Sequence, residues 1–302
     1  MITLSSDFGS PYPAAMKGVI LQRTDARIVD VAHDLPRQDV RAAGFWLRFV
    51  LPEFPPGVHC AVIDPGVGTD RKAIVVRAGG HALVGPDNGS LIPPARALVG
   101  GTDCEDSPEC VDVADRSKEG DRADGFEVFV YRPGETASST FHGRDVFAPL
   151  AAAVHQTGVS SIEAIDGVKP AESFVDLRFP EPQPLDGAKT PDWTAETADG
   201  VAGEVLVIDG FGNVITNVPG AAADGRDRAV VNGELVPLVD TFADVEQGDR
   251  LLTVGSHGYL ECDVREGRGD EAFALGPGDR VEIAFRTASD RSTGGSDELR
   301  NG

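Results

Sequence analysis

The sequence predicts an α/β N-terminal domain, a Rossmann-like layered sheet, joined to a C-terminal all-β barrel domain. Three observations carry this. Strand-like and helix-like runs alternate through the first half, the pattern of a sheet with parallel strands and helical crossovers. Short strand-like runs separated by turn signals fill the last third, as in a small barrel or sandwich. Between them, residues 176–200 are rich in Pro, Asp and Thr and have little periodicity, which marks a linker. The expected organisation is an N-terminal domain over 1–175, a linker over 176–200, a barrel over 201–287 and a disordered tail over 288–302.

Met1 to Leu4 is a short apolar run ending in the polar Ser5-Ser6-Asp7-Phe8-Gly9, hence a buried strand and a loop. Met16, Val19, Ile20 and Arg23 fall at helical spacing within Ala14–Arg23. Ala26–Ala32 reads as a second strand, and Asp39–Val50 as a helix with Ala42, Ala43, Trp46, Leu47 and Val50 on one side. Val58–Ile63 is a third strand running into Asp64-Pro65-Gly66-Val67-Gly68-Thr69. Lys72–Arg77 and His81–Val84 form a strand pair turned at Gly79-Gly80. Residues 102–125 are acidic, carry two Cys and little apolar content, and read as a solvated insertion. Phe126–Tyr131 is strand-like, and Val146–Val154 is a helix behind Phe141-His142-Gly143-Arg144-Asp145. The barrel strands are Gly203–Asp209, Val214–Asn217, Arg228–Val231, Leu251–Val254, Tyr259–Val264 and Arg280–Phe285.

Charge excludes whole classes of partner. The 302 residues carry a formal net charge of -22, a field that repels nucleic-acid phosphates and anionic membrane surfaces. Only five of the 27 basic residues are Lys, and scarce Lys with abundant acid points to a halophilic, salt-rich cytoplasm that screens self-repulsion. The N-terminus MITLSSDFGS has no basic or long apolar segment, and no apolar run approaches ~18 residues, so a cytoplasmic protein without a signal peptide or membrane span is expected. The four Cys (Cys60, Cys104, Cys110, Cys262) lack zinc spacing and are expected to be reduced thiols, with a Cys104–Cys110 pair within the acidic loop as the alternative.

Candidate chemistry narrows by what is missing. Gly66-Val67-Gly68 lacks the third glycine of a dinucleotide fingerprint, and no P-loop is present. A Ser–His–Asp hydrolase lacks the G-x-S-x-G elbow. Asp7, Asp64, Asp87 and Asp209 share no tight ligand motif for a metal. Asp7 and Asp64 both follow strands, where an α/β sheet places its sites and where an Asp also serves as a plain turn or cap residue. Asp64, Arg71 and His142 form one set: an acid, a cation and an imidazole can hold and polarise a water, although the His also suits a helix cap.

Ala61-Val62-Ile63-Asp64-Pro65-Gly66-Val67-Gly68-Thr69-Asp70-Arg71 resembles the signature of the S-adenosylmethionine (SAM) hydroxide adenosyltransferase family, adenosine-forming SAM hydrolases related to fluorinase and chlorinase. Ser6-Asp7-Phe8-Gly9 resembles its N-terminal loop, and Gly85-Pro86-Asp87-Asn88-Gly89 its PDNG turn. Thr140-Phe141-His142-Gly143-Arg144-Asp145 is similar to its second catalytic segment. Asp209 through Asn217 and Gly255-Ser256-His257-Gly258-Tyr259-Leu260 are similar to its C-terminal motifs. The motifs occur in order from residue 1 to about residue 285.

The resemblance implies an α/β domain joined to a β-barrel, assembled as a homotrimer with sites between subunits. It implies hydrolysis of SAM to adenosine and L-methionine by water attack at ribose C5′, with no cofactor. Asp64, Arg71 and His142 would surround the water, and Asp7 would bind the ribose hydroxyls. Phe211 and Asn213 would contact adenine and Phe242 would pack on it. Asp209 would pair with the methionine ammonium and Ser256 with its carboxylate, beside His257 where relatives carry Arg or Ser. The halogenases carry Tyr at the position of Asp64 and a halide-binding Ser at that of Gly143, so this chain favours water over a halide. The alternatives are adenosyl transfer to a halide and a SAM- or adenosine-binding sensor without turnover.

Overall fold

The computed structural model describes residues 1–66, 68–69, 71–100, 125–133, 141–185 and 200–286. The expected tail, most of the acidic insertion and the Cys104–Cys110 pair therefore lie outside the described residues. The chain divides into two compact units, Met1–Arg178 and Phe179–Gly302.

The first unit runs β1 (Ile2–Ser6), α1 (Tyr12–Leu21), β2 (Ile28–Ala32), α2 (Val40–Val50), β3 (Val58–Val62), β4 (Ala73–Ala78), β5 (His81–Pro86), α3 (Ile92–Gly100), β6 (Phe126–Tyr131), α4 (Ala148–Thr157) and β7 (Val168–Pro170). Its seven-stranded sheet has the order β2-β1-β3-β5-β4-β6-β7. The first four of these pair in parallel. β4 is antiparallel to β5 and β6, and β6 to β7. The sheet is thus mixed, where the alternation of elements had predicted parallel strands. The two-residue Gly79-Gly80 turn can only return the chain antiparallel, because a parallel crossover needs a dozen or more residues.

Alternation along the strands supplies both faces of this sheet. Cys60, Val62, Val75 and Val84 join Met16 and Ile20 of α1 and Leu150, Ala151 and Val154 of α4 on one side. Ala61, Ile63, Ile74, Val76 and Leu83 join Ala43 and Leu47 of α2 and Ile92, Ala95 and Leu98 of α3 on the other. Residues i and i+2 share a face, so a strand between two helical layers is buried at every position, as β3 is. α2 begins where Asp39 Oδ1 accepts the Ala42 N–H at 2.8 Å. α3 has no counterpart in the sequence reading, since Pro93 and Pro94 obscure it; both fall in its first turn, where the missing N–H has no helical partner. The helix expected from Val146 is α4, entered through a π-type turn over Gly143–Phe147.

The second unit contains β8 (Gln183–Pro184), β9 (Gly200–Ile208), β10 (Val214–Pro219), β11 (Arg228–Val231), β12 (Glu234–Pro237), β13 (Arg250–Val254), β14 (Tyr259–Val264), α5 (Gly269–Phe273) and β15 (Arg280–Arg286). The order is β12-β11-β15-β9-β10-β14-β13, with β8 beside β9, and every strand pairing is antiparallel. A bridge between Leu238 and Leu252 brings the two ends of that order together, so the sheet is nearly closed. Val205, Val214, Ala229, Leu252, Leu260, Cys262, Ile283 and Phe285 fill its interior. Among the described residues no helix is long and apolar enough to cross a membrane.

Candidate active site

The parallel part of the N-terminal sheet positions the candidate residues. β1 runs to β2 on one side, and the chain then returns to β3 on the other. Such a reversal opens a crevice at the carboxyl ends of the two central strands. Asp7 directly follows β1, and Asp64 lies two residues beyond β3. His33 follows β2, and Asp87 and Asn88 follow β5. Four parallel strands therefore deliver polar residues to one edge.

Asp64 is the buried centre of this edge, its side chain 3% exposed. Its Oδ1 accepts the Gly66 N–H at 3.0 Å, so this Asp does serve the turn. Arg71 Nε stands 3.7 Å from Oδ1, and His142 Nδ1 stands 3.8 Å from Oδ2. The structure thus brings together the three residues that the sequence grouped, across 78 positions from Asp64 to His142. Both groups lie beyond direct hydrogen-bond length, so the carboxylate keeps acceptor capacity for a small polar molecule between them. His142 makes no side-chain cap bond to the turn behind it, so the expected cap role is not seen for this side chain.

Neighbouring residues hold these groups in place. A Cβ on Gly66 would lie 2.5 Å from Arg71 Nη2, so the guanidinium rests where a side chain would be. Thr69 Oγ1 donates to the Gly66 carbonyl at 2.7 Å and closes the turn. Asn88 Nδ2 donates to the Ile63 carbonyl at 2.6 Å, and its Oδ1 accepts from Ser90 N and Oγ. Asn88 therefore ties the exit of β5 to the exit of β3, a support that its motif alone did not reveal. Phe8, Tyr12 and Phe141 pack edge to face, with centroids 5.3–6.1 Å apart, and link the Asp7 loop to the residue before His142. Pro65, Thr69, Arg71, Asp87 and Asn88 line a shallow depression with Val40 and Val175.

The remaining candidates divide between the units. Asp7 Oδ2 accepts the Gln38 N–H at 2.6 Å. In the barrel, Asp209 Oδ1 accepts the N–H groups of Phe211 and Asn213 at 2.8 and 2.9 Å, and its Oδ2 takes Asn213 Nδ2 at 3.0 Å. That loop presents Phe211 80% exposed, a large ring left in solvent. Phe242 sits on a separate 3-10 turn, Phe242–Asp244, and is 39% exposed. Ser256 is exposed in the turn between β13 and β14. Beside it His257 Nδ1 lies 3.5 Å from Glu261 Oε1. Asp87 Oδ1 is bonded to Val175 N, and the four acids weighed as a metal set form no ligand cluster among the described residues.

Known proteins resemble the chain along nearly its whole length. The sequence profile of the SAM hydroxide adenosyltransferase N-terminal domain matches residues 2–166 and that of the C-terminal domain residues 203–282. The (R)-S-adenosyl-L-methionine hydrolase of Salinispora tropica is 36% identical over 286 residues, covering 93% of this chain and 97% of the relative. The Thermus thermophilus protein of the same name is 37% identical over 288 residues, with 92% and 97% covered. Among solved structures, an uncharacterized conserved protein from Thermotoga maritima aligns with TM-score 0.70 at 29% identity, covering 94% of this chain and all of that one. A conserved hypothetical protein from Thermus thermophilus aligns with TM-score 0.66 at 33% identity, covering 94% and 99%.

Proposed function

The chain belongs to the SAM hydroxide adenosyltransferase family, and we propose on that premise that it hydrolyses S-adenosyl-L-methionine to adenosine and L-methionine, with Asp64, Arg71 and His142 handling the water. The observation that carries the residue assignment is the Asp64 carboxylate, buried, aimed by Gly66 N–H and flanked at 3.7 and 3.8 Å by Arg71 and His142.

The substrate brings its own activation. Its sulfonium makes ribose C5′ electrophilic, and methionine leaves as a neutral thioether. A water oxygen forms the new bond to C5′, the C5′–S bond breaks with its electron pair going to sulfur, and the proton lost by the water passes to Asp64. No leaving-group acid, metal or cofactor is required by that balance. The protein's task is to place the water in line and favour its hydroxide character, and fixed positioning supplies up to ~7–11 kcal/mol in ideal cases. Gly143 carries no hydroxyl for a halide, and the Asp64 carboxylate repels one.

In this reading Asp7 binds the ribose diol, Phe211 and Asn213 meet adenine, Phe242 packs on it, Asp209 pairs with the methionine ammonium and Ser256 holds its carboxylate. The exposed Phe211 ring supports a role in contacts beyond its own loop. A homotrimer with each site completed by a neighbouring subunit, in a salt-rich cytoplasm, completes the proposal. The relatives' name specifies the (R) sulfonium, and we extend that configuration to this chain.

The test is purified protein with each resolved sulfonium epimer, followed by product chromatography beside Asp64→Ala. Equal adenosine and methionine from the (R) epimer, lost in the variant, are expected. Both epimers left intact by a folded, SAM-binding protein overturn hydrolysis in favour of a sensor. Chloride-dependent 5′-chloro-5′-deoxyadenosine overturns it in favour of halide transfer.

A further inference from the structure

The segment following β2 wraps the Asp7 loop through four separate contacts. Ser6 Oγ lies 2.7 Å from His33 Nδ1, and His33 Nε2 lies 2.9 Å from Asp30 Oδ1. Lys17 Nζ of α1 meets the other Asp30 oxygen at 2.5 Å. The His33 carbonyl accepts the Gly9 N–H at 2.8 Å, and the Ser6 carbonyl accepts the Leu35 N–H at 3.3 Å. Gln38 N–H then reaches Asp7 Oδ2 at 2.6 Å. Residues 6 and 9, on either side of Asp7, are thus tied to residue 33, and Asp7 itself to residue 38.

The chemistry of the chain has a direction. The Asp30 carboxylate can only accept, so it takes the Nε2 proton of His33, which leaves Nδ1 to pair with the Ser6 hydroxyl. Ser6 is 0% exposed, so this Ser–His–Asp series presents no nucleophile to solvent. What it does instead is fix the strand end that carries Asp7. Gln38 holds φ 60°, a left-handed conformation that non-glycine residues rarely adopt, and it spends its N–H on the Asp7 carboxylate. With Oδ2 so occupied the carboxylate plane is set, and Oδ1 has no hydrogen bond among the contacts described.

We propose that His33 is a positioning residue for substrate binding: with Asp30 and Ser6 it holds the Asp7 loop so that the carboxylate meets the ribose hydroxyls in one orientation. This rests on the role of Asp7 in the hydrolase reading. A group that aligns a ribose contact, and does not touch the water, affects ground state and transition state alike, so it changes KM and leaves kcat.

The experiment measures kcat and KM for SAM, and the Kd of adenosine by titration, in the full chain and in His33→Ala, His33→Asn and Ser6→Ala. His33→Ala is expected to raise KM and the adenosine Kd by ~10-fold or more with kcat within about threefold. His33→Asn, whose amide reaches the Nδ1 position, is expected to recover most of that loss. Ser6→Ala, expected to raise both constants about threefold, stands in if His33→Ala does not fold. KM and Kd within twofold of wild type in these variants overturn the proposal, as does a kcat loss at constant KM. A wild-type protein that leaves SAM intact overturns the hydrolase reading first, and an active wild type with indifferent variants overturns this inference alone.

Discussion

The same three strands, β1, β3 and β5, carry polar groups at both ends, and the two ends treat them in opposite ways. At the amino ends Thr3 Oγ1 bonds His59 Nδ1 at 2.8 Å, and His59 Nε2 bonds His81 Nδ1 at 2.8 Å. That chain is closed: His59 is 1% exposed and both ring nitrogens are used. At the carboxyl ends Asp64 is as deeply buried in its side chain, yet Arg71 and His142 stand off at 3.7 and 3.8 Å and remain partly solvated. Satisfied buried groups stabilise a fold and do nothing further. A buried group with spare acceptor capacity is where stability is given up for chemistry.

This contrast can be broken at either end. The largest expected effect is Asp64→Asn, which removes the proposed proton acceptor: turnover should fall about 10²–10⁴-fold while thermal stability moves by about 1 kcal/mol or less. Equal loss of stability and turnover would show that the carboxyl end is as structural as the other.

Next in size is the acid response of the closed end. Burial, with His81 adding, holds His59 down to about 3, against an ordinary value near 6.5. The folded protein therefore refuses a proton that the unfolded chain accepts. Its stabilising contribution is full above pH ~6.5 and is lost as pH falls toward 3, on the order of 2–4 kcal/mol. Denaturant titrations at pH 7 and pH 4.5 should show this loss, and His59→Gln should flatten it. A wild-type protein of pH-independent stability over that range would contradict the closed reading.

Gly66→Ala tests how finely the open end is set. The added Cβ must displace the Arg71 guanidinium, and turnover should drop about 10–100-fold with little change in folding. Full activity in this variant would mean that Arg71 works without a fixed position.

The smallest effect concerns a third condition, a buried polar group with no hydrogen-bond partner among the described residues. Asp263 is 0% exposed and neither of its oxygens has a hydrogen-bond partner among the described residues. Burial, with Glu261 and Asp209 adding, pushes it up to about 8. The folded chain keeps a proton that the unfolded chain releases above pH ~4, so this group costs stability increasingly as pH rises from 4 to 8. Asp263→Asn should stabilise the protein by about 1–2 kcal/mol at pH 8.5 and hardly at all at pH 5. The reverse pH trend would place an unseen cation against the carboxylate.

Much of this was legible in sequence because it is local. A short, mostly apolar run defines β3, apolar alternation defines β14, helical spacing defines α1 and α2, and ordered motifs name Asp64, Arg71 and His142. α3 was hidden by Pro93 and Pro94, because proline disfavours a helix everywhere except in its first turn, and only the fold says where the first turn is. The antiparallel edge of β4, β6 and β7 was likewise missed as sheet order, although the Gly79-Gly80 turn announced its first hairpin.

By itself, then, the sequence determined the two-part architecture, the identity of the acid, cation and imidazole, and the family to which they point. Tertiary structure alone decided how far each partner stands from Asp64, which strand ends are closed and which open, and that the residues after β2 hold Asp7. The reason is physical. A side chain's residue type limits what it can donate or accept, but strand order decides which groups, tens of residues away, come within reach to satisfy it.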